Sequence, residues 1–118
     1  MELVELARIL LIADGAAALL TVLWACFDPS IIPWKREEDR LNPLARRMYI
    51  YIVVLRGMVR VVSGCQMAFW PAIAVYVLEG GCCFLGFVEG SMDWRAVIFW
   101  MVNWGGAGFF AFADGFQA

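Results

Sequence analysis

Histidine does not occur among the 118 residues of this chain. Its absence removes the commonest general base near neutral pH, the commonest transition-metal ligand and the usual axial ligand of haem. The cysteines lie inside apolar segments and lack the paired spacing of a zinc or iron–sulfur site. These residues are Cys26, Cys65, Cys82 and Cys83. The sequence therefore predicts no metal site and no cofactor, with the cysteines serving as small buried apolar side chains.

Charged residues are also scarce, at 17% of the chain, whereas an average soluble domain is about a quarter charged. Their signs nearly balance, with 9 basic and 11 acidic side chains and a net charge of −2. Domains that bind nucleic acid usually carry a basic patch or stripe, which an excess of positive charge would reveal. Nucleic acid is therefore not an expected partner.

Apolar residues take the place of the missing charge. They make up 64% of the chain, and the mean hydropathy is +0.76. A helix needs about 20 mostly apolar residues to cross a bilayer. Four segments meet this requirement, at about residues 3–27, 44–67, 70–90 and 94–113. We therefore predict an all-α integral membrane four-helix bundle, a single transmembrane domain over residues 1–118 with a charged loop at 28–43.

Local signals at the ends of these segments support their bounds. The Asp-Pro-Ser turn at residues 28–30 follows the first span. Asn42 followed by Pro43 fits a helix N-cap with proline in the first helical position. Asp114 and Gly115 fit the end of the fourth span.

The loop between the first two spans is the hydrophilic stretch of the sequence. Its charged residues are Lys35, Arg36, Glu37, Glu38, Asp39 and Arg40, followed by Arg46 and Arg47 at the start of the second span. Arg95 belongs to the same side of the membrane, and Arg8 to the other. The positive-inside rule then predicts that the loop faces the cytoplasm, matrix or stroma, with both termini opposite. We expect this loop to be available for docking.

Each predicted span carries one polar residue near its middle: Asp14, Arg56, Glu79 and Asn103. An unpaired charge at that depth costs from ~3 to more than 10 kcal/mol, so these groups need partners. We expect a cluster in which Arg56 bridges Asp14 and Glu79, with Asn103 as a neutral hydrogen-bond partner. Arg60 lies one turn from Arg56 on the same helix face, where it joins the cluster or meets a lipid phosphate or a partner protein.

Three interpretations of this intramembrane polar cluster remain open from the sequence. It is an ion-pair network that sets the register and rotation of the helices, or a set of charges that cross to a neighbouring subunit, or a path for protons or ions. Transporters usually show broken helices or paired inverted halves, which this sequence lacks.

Small residues indicate where helices approach one another closely. Gly86 and Gly90 form a Gly-x-x-x-Gly pair, and Ala107, Ala111 and Gly115 recur every four residues along the fourth span. We expect close helix packing at these positions, either within the chain or against another protein.

The order of features around the loop resembles the ergosterol biosynthesis protein 28 family of small four-span membrane proteins. The likeness rests on Cys-Phe-Asp-Pro at 26–29, Asn-Pro-Leu at 42–44, and Arg47 with Arg60 thirteen residues later. Glu89 would correspond to an acidic residue of the family near the end of its third span. The chain differs from the family in lacking the histidine expected beside that acid, and it adds charges within the second and third spans.

The resemblance implies a non-catalytic scaffold that holds sterol-modifying enzymes together in the membrane of the endoplasmic reticulum. The residues themselves also predict that the chain is not an enzyme. They show no nucleophile paired with a base, no metal-ligand constellation and no glycine loop suited to phosphate. A larger membrane protein complex and membrane lipids are the expected partners.

Two alternatives remain open at this point. The chain could be a supernumerary subunit of a respiratory, ATP synthase or photosynthetic complex in a mitochondrial or thylakoid membrane. The aromatic side chains of the fourth span, among them Phe99, Trp100 and Phe110, also suit contact with lipid or pigment. Without histidine, a chlorophyll would need an Asn, Gln, Glu, backbone carbonyl or water ligand.

Overall fold

The computed structural model describes residues 2–116, which form an all-α bundle. Four of its helices are long and apolar enough to cross a membrane. They are α1 (Leu3–Phe27), α3 (Pro43–Gln66), α4 (Trp70–Glu89) and α5 (Arg95–Asp114). Each bound lies within one residue of the span expected from the sequence. The predicted fold, an integral membrane bundle of four helices, is confirmed.

The charged segment between α1 and α3 contains more structure than the predicted loop. A single turn of 3₁₀ helix occupies Pro29–Ile31, and a short helix, α2, occupies Glu37–Leu41. The first turn of α2 carries three acidic residues, whose charges interact favourably with the positive end of the helix dipole. Arg40, in its last turn, donates a hydrogen bond to the carbonyl oxygen of Trp34 at 2.7 Å. These interactions give local order to residues that the sequence marked only as hydrophilic.

The ends of the long helices follow from capping residues. The side-chain oxygen of Asn42 accepts hydrogen bonds from the backbone N–H groups of Leu44 and Ala45, at 3.0 and 3.2 Å, so it caps α3 as predicted. Met67, at φ 57°, ends α3 in the left-handed region. Gly90, at φ 83°, ends α4 in the same region, where the absence of a Cβ removes the strain.

Two pairs of helices pack most closely, α1 against α3 and α4 against α5. At the first crossing the backbones nearly touch, because a Cβ placed on Gly15 would lie 2.7 Å from the carbonyl oxygen of Gly57. At the second crossing, the indole of Trp104 occupies the space that a Cβ on Gly80 would need. Glycine at these positions lets each pair come together.

Within residues 2–116, the Gly-x-x-x-Gly pair on α4 forms no crossing with another span, so close packing within the chain at this pair is wrong, whereas packing against another protein stays a prediction. A Cβ on Gly86 would collide with Met92, which lies in the turn after α4, and Gly90 terminates the helix. Both glycines therefore serve the turn, which folds back over the end of the helix, and neither creates a crossing with another span. On α5, Ala107 is buried, whereas Ala111 is exposed.

An apolar core fills the end of the bundle at which α1 begins and α5 ends. Its members come from α1, α5 and the start of α4, and they are Ala7, Leu11, Phe69, Ala72, Tyr76, Ala107, Phe110 and Ala113. The Phe110 ring stacks on the Tyr76 ring with 5.4 Å between centroids, and it meets the Phe69 ring edge-on at 6.2 Å. Close packing at this end brings the polar side chains of the next layer together.

Candidate functional site

Arg60 is the centre of a polar cluster to which all four long helices contribute. Its guanidinium Nη2 lies 2.6 Å from Oε2 of Glu79 and 3.2 Å from Oδ1 of Asn103. Its Nη1 lies 3.2 Å from Oδ2 of Asp14. The Arg60 side chain is buried, so three of its neighbours on three other helices replace the water that it would bind outside the protein.

Arg56 does not have the bridging role that we expected for it. It forms an ion pair with Glu79, and within residues 2–116 no ion pair joins it to Asp14. The reason is the close crossing of α1 and α3, where a Cβ on Gly15 would lie 3.0 Å from Cβ of Arg60. Asp14, the residue before Gly15, therefore contacts the turn of α3 that carries Arg60. The sequence showed that both arginines share a face, but the register between the helices selects the bridge.

Tyr76 completes the cluster and was not predicted from the sequence. Its hydroxyl donates a hydrogen bond to Oδ2 of Asp14, and its ring lies beneath the Arg60 guanidinium, 4.2 Å from ring centroid to Cζ. A contact of this kind between a cation and an aromatic face is favourable. Tyr76 lies three residues before Glu79, hence on the same helix face, which is the one sequence signal that could have identified it.

Asn103 acts as the neutral member of the cluster. Its amide nitrogen donates to Oε1 of Glu79 at 3.2 Å and to the carbonyl oxygen of Phe99 at 2.7 Å, while its amide oxygen accepts from Arg60. The Asn103 side chain thus joins α5 to Arg60 on α3 and to Glu79 on α4. The four residues singled out by their depth in the sequence meet in one layer together with Arg60.

The cluster is electrically neutral, because its two guanidinium groups face two carboxylates, Asp14 and Glu79. Each charge has an opposite charge in contact. Hydrogen bonding within the cluster is nevertheless incomplete. Nε of Arg56 and Nε of Arg60 are buried without a hydrogen-bond partner in the described part of the chain.

A cavity of about 470 Å³ lies beside this cluster, between it and the end of the bundle that carries the charged loop. Asp14, Arg56, Arg60, Glu79 and Asn103 all line it, and they form its polar side. The remaining walls are mostly apolar and include Trp24, Ile31, Pro33, Met92, Phe99 and Val102. The cavity therefore has one polar wall, formed by the ion-paired cluster, and is otherwise an apolar space within the membrane-spanning region.

The charged loop closes the aqueous end of the cavity, because it is bound to the turn between α4 and α5. Arg95 donates from Nη1 to the carbonyl oxygen of Ser30 at 2.8 Å and from Nη2 to that of Ile32 at 3.0 Å. The backbone N–H of Asp93 donates to the carbonyl oxygen of Pro33 at 2.9 Å. Ile32 is fully buried beneath these contacts. We call this set of contacts the loop staple.

The Asp93 carboxylate orients Arg95 within the loop staple, with 2.7 Å between Oδ2 and Nη2. Burial acts to raise the pKa of Asp93, but hydrogen bonds from the side chain and backbone of Arg95, together with its charge, lower that pKa below the ordinary value of 3.8. Asp93 is therefore ionised throughout the physiological range.

A second, more apolar groove of about 580 Å³ lies between α3 and α4. Ile52, Leu55 and Leu78 line it, and Arg56 and Glu79 form its polar floor. Arg56 and Glu79 line both the groove and the cavity, so the two spaces adjoin at this ion pair.

The loop residues predicted for docking are separate from the polar cluster. Lys35, Arg36, Glu37, Glu38, Asp39 and Arg47 are exposed, whereas Arg40 and Arg46 are partly buried. The side chains of Lys35, Arg36, Glu37, Glu38 and Asp39 form no hydrogen bond or ion pair with residues 2–116. These charges are accessible at the membrane surface.

Three of the four cysteines lie on the outside of the bundle. Cys83 is buried, but Cys26, Cys65 and Cys82 are exposed on the outer faces of the helices, so the expectation that all of them are buried is wrong. Apolar positions that face lipid have the same composition as positions inside a membrane bundle, which explains the error. Within residues 2–116, no group of three or more His, Cys, Asp or Glu side chains could hold a metal ion.

Comparisons of this chain with protein-family models, with curated proteins and with solved structures give no match.

Proposed function

We propose that the chain is a non-catalytic accessory or scaffold subunit that packs against larger membrane enzymes and tethers them. The observation that carries this proposal is the neutral polar cluster, in which all four long helices are joined through paired charges. Removing a partner from a buried ion pair typically costs about 3–5 kcal/mol, so such a network resists changes in helix register. The bundle is suited to a fixed membrane body on which other proteins assemble.

The pairing of the charges supports a structural role over transport. An ion or proton path needs a group that changes partner or charge as the ion passes. Here each guanidinium contacts a carboxylate, and Arg60 alone contacts partners on α1, α4 and α5. The cluster favours the first of the three interpretations that the sequence left open.

The docking surface in this proposal is the charged loop. Its free side chains carry both signs within five residues, Lys35 to Asp39. The backbone N–H of Lys35 donates to the carbonyl oxygen of Ser91 at 3.0 Å, and residues 37–39 lie in α2, so this segment is ordered. A mixed pattern of charge on an ordered segment gives orientation and specificity to a contact with another protein. Partner enzymes would meet the loop at the membrane surface and the apolar helix faces within the bilayer.

The identity of the partner enzymes would identify the membrane in which the chain resides. The sequence resemblance favours the endoplasmic reticulum and a sterol-modifying enzyme assembly. The alternative is an energy-converting complex of a mitochondrial inner or thylakoid membrane. Recovery of the tagged full chain in mild detergent, followed by quantitative mass spectrometry, separates these two forms by the enzymes that co-purify.

A charge-reversal variant tests the docking surface in the same experiment. Lys35→Glu combined with Arg36→Glu should lower the recovery of partner proteins severalfold while leaving the amount of chain in the membrane unchanged. Arg8→Glu is the matched control, because Arg8 is an exposed basic residue at the opposite end of the bundle. Equal recovery with both variants contradicts docking through the loop.

An activity measurement tests the non-catalytic part of the proposal. The purified chain in liposomes should show no ion flux and no enzymatic turnover above background. The Glu79→Gln variant should give the same background. Flux or turnover that depends on Glu79 would replace the scaffold with a transporter or an enzyme.

A further inference from the structure

We propose that the cavity beside the polar cluster binds a neutral lipid alcohol, with the hydroxyl group against the cluster and the hydrocarbon chain in the apolar space. This proposal does not depend on the scaffold role. It concerns a ligand inside the bundle, whereas the scaffold role concerns partner proteins at its outer surface.

The polar side of the cavity offers one hydrogen-bond acceptor and one donor. Both contacts to Asp14 use Oδ2, so Oδ1 has no hydrogen-bond partner in residues 2–116, and the Asp14 side chain is 45% exposed. Arg56 forms its ion pair through Nη1, and its Nη2 has no partner among the described residues. A hydroxyl group is both a donor and an acceptor, so it can use either group or both.

The charge balance of the cluster selects a neutral head group. Two arginines and two carboxylates already cancel within the cluster, and Arg95 at the far end of the cavity is paired with Asp93. A ligand carboxylate or ammonium would add an uncompensated charge inside the membrane-spanning region, which is unfavourable. A hydroxyl group meets the free donor and acceptor without that cost.

The rest of the cavity suits a hydrocarbon chain. Its volume of about 470 Å³ lies within the range of roughly 300–1,000 Å³ that is usual for small-molecule sites. Trp24, Phe99 and Val102 contribute apolar wall. Because the loop staple covers the aqueous end, the remaining approach is lateral, between α1 and α5, where the cavity-lining residues Ala17 and Val102 are also exposed on the outside of the bundle. Entry from the bilayer follows from this arrangement.

Four probes that share a 16-carbon chain test the head-group chemistry on the purified full chain in detergent micelles. They are hexadecan-1-ol, hexadecanoate, hexadecylamine and hexadecane, each used to compete with radiolabelled hexadecan-1-ol. We expect saturable binding of the alcohol at one site per chain, with the charged probes and the alkane competing at least about tenfold more weakly. An absence of saturable binding overturns the proposal. Equal competition by the alkane, or stronger competition by either charged probe, also overturns it.

A pair of neighbouring alanines tests the location of the site. Ala17→Phe places a large side chain at the lateral opening, and we expect it to weaken binding of the alcohol at least about tenfold. Ala16→Phe is the matched control, because Ala16 is exposed on α1 and does not line the cavity. Val102→Trp narrows the opening from the side of α5 and should repeat the effect of Ala17→Phe. If both opening variants bind as well as Ala16→Phe does, the alcohol lies elsewhere and the proposal is wrong.

Discussion

Arg60 and Arg56 occupy successive turns of one helix, yet their surroundings differ. Arg60 is buried, with charged or polar partners on three other helices and an aromatic ring beneath it. Arg56 has 21% of its side chain exposed and forms one ion pair, to Glu79. If Arg56 is removed, Glu79 retains Arg60 and Asn103. If Arg60 is removed, Asp14 loses its only cationic partner in the described chain.

Substitution of each arginine by methionine measures this difference. We expect Arg60→Met to lower the free energy of unfolding by about 3 kcal/mol, as for a buried ion pair that loses one member. Arg56→Met should lower it by about 1 kcal/mol, a typical value for one polar contact between membrane helices. Denaturant unfolding in the same micelle checks both values. Equal losses would show that Arg60 is not the centre of the network.

The loop staple gives a pH dependence with a defined sign. The pKa of Asp93 is lower in the folded protein than its ordinary value of 3.8, so its contribution to stability is fully present above 3.8 and is lost as the pH falls through the lower folded value. The difference in Tm between the protein and Asp93→Asn should therefore be constant from pH 7 to about pH 5 and shrink only in stronger acid. Glu89→Gln, an exposed carboxylate that takes no part in the loop staple, is the control. A difference that disappears above pH 5 contradicts an ionised Asp93 in this role.

At the scale of the helices, the close crossing of α1 and α3 determines which polar groups meet. The backbone at Gly15 lies against Gly57, and the same contact brings Asp14 opposite Arg60. Neither glycine drew attention in the sequence, where the Gly-x-x-x-Gly pair on α4 was the stronger signal. A spacing motif marks small residues on one helix, but it does not say which helix lies opposite them.

Alanine substitutions at two glycines test the importance of this crossing. In Gly15→Ala the new methyl group would lie 2.7 Å from the carbonyl oxygen of Gly57, so α1 must move away from α3. We expect a loss of about 1–3 kcal/mol, which thermal unfolding in micelles can measure. Gly105→Ala on α5 is the control, because a Cβ there meets nothing within 4 Å. It should be neutral or stabilising by up to about 1 kcal/mol through its helix propensity. A Gly15→Ala protein as stable as the control would contradict the close contact.

At the scale of the whole molecule, the longest dimension is comparable to the thickness of a bilayer. The long axis measures 48 Å, and a bilayer with its head groups is about 40–45 Å thick. Large apolar side chains such as Leu20, Leu55 and Leu78 are exposed on the outside of the bundle. Lipid, or the helices of a partner, is the environment that such a surface requires.

Orientation is the prediction that belongs to this scale. The basic residues at the loop end outnumber those at the end with both termini, so the loop should face the cytoplasm, matrix or stroma. If the host membrane is the endoplasmic reticulum, as proposed, the loop should face the cytoplasm. In a variant without the native cysteines, Glu37→Cys should react with a membrane-impermeant maleimide in sealed microsomes. Glu2→Cys should react only after the membrane is permeabilised. The opposite pattern of labelling would reverse the assignment.

The sequence by itself determined the fold class, the bounds of the four long helices and the depth of the polar residues. The physical reason is that these properties depend on local composition: an apolar run of sufficient length must be a helix in lipid, and capping residues act on their own neighbours. Asn42 and Pro43 begin α3 whatever packs against it.

Only the tertiary structure decided which groups meet within that layer. Contacts between helices depend on rotation, register and close approach, and a one-turn difference separates Arg56 from Arg60 as the bridge to Asp14. Tyr76 enters the cluster for the same reason. The cavity was equally hidden, because it exists where the helices separate above the polar layer and where the loop staple covers the opening. Distances between elements that are far apart in the chain created these features.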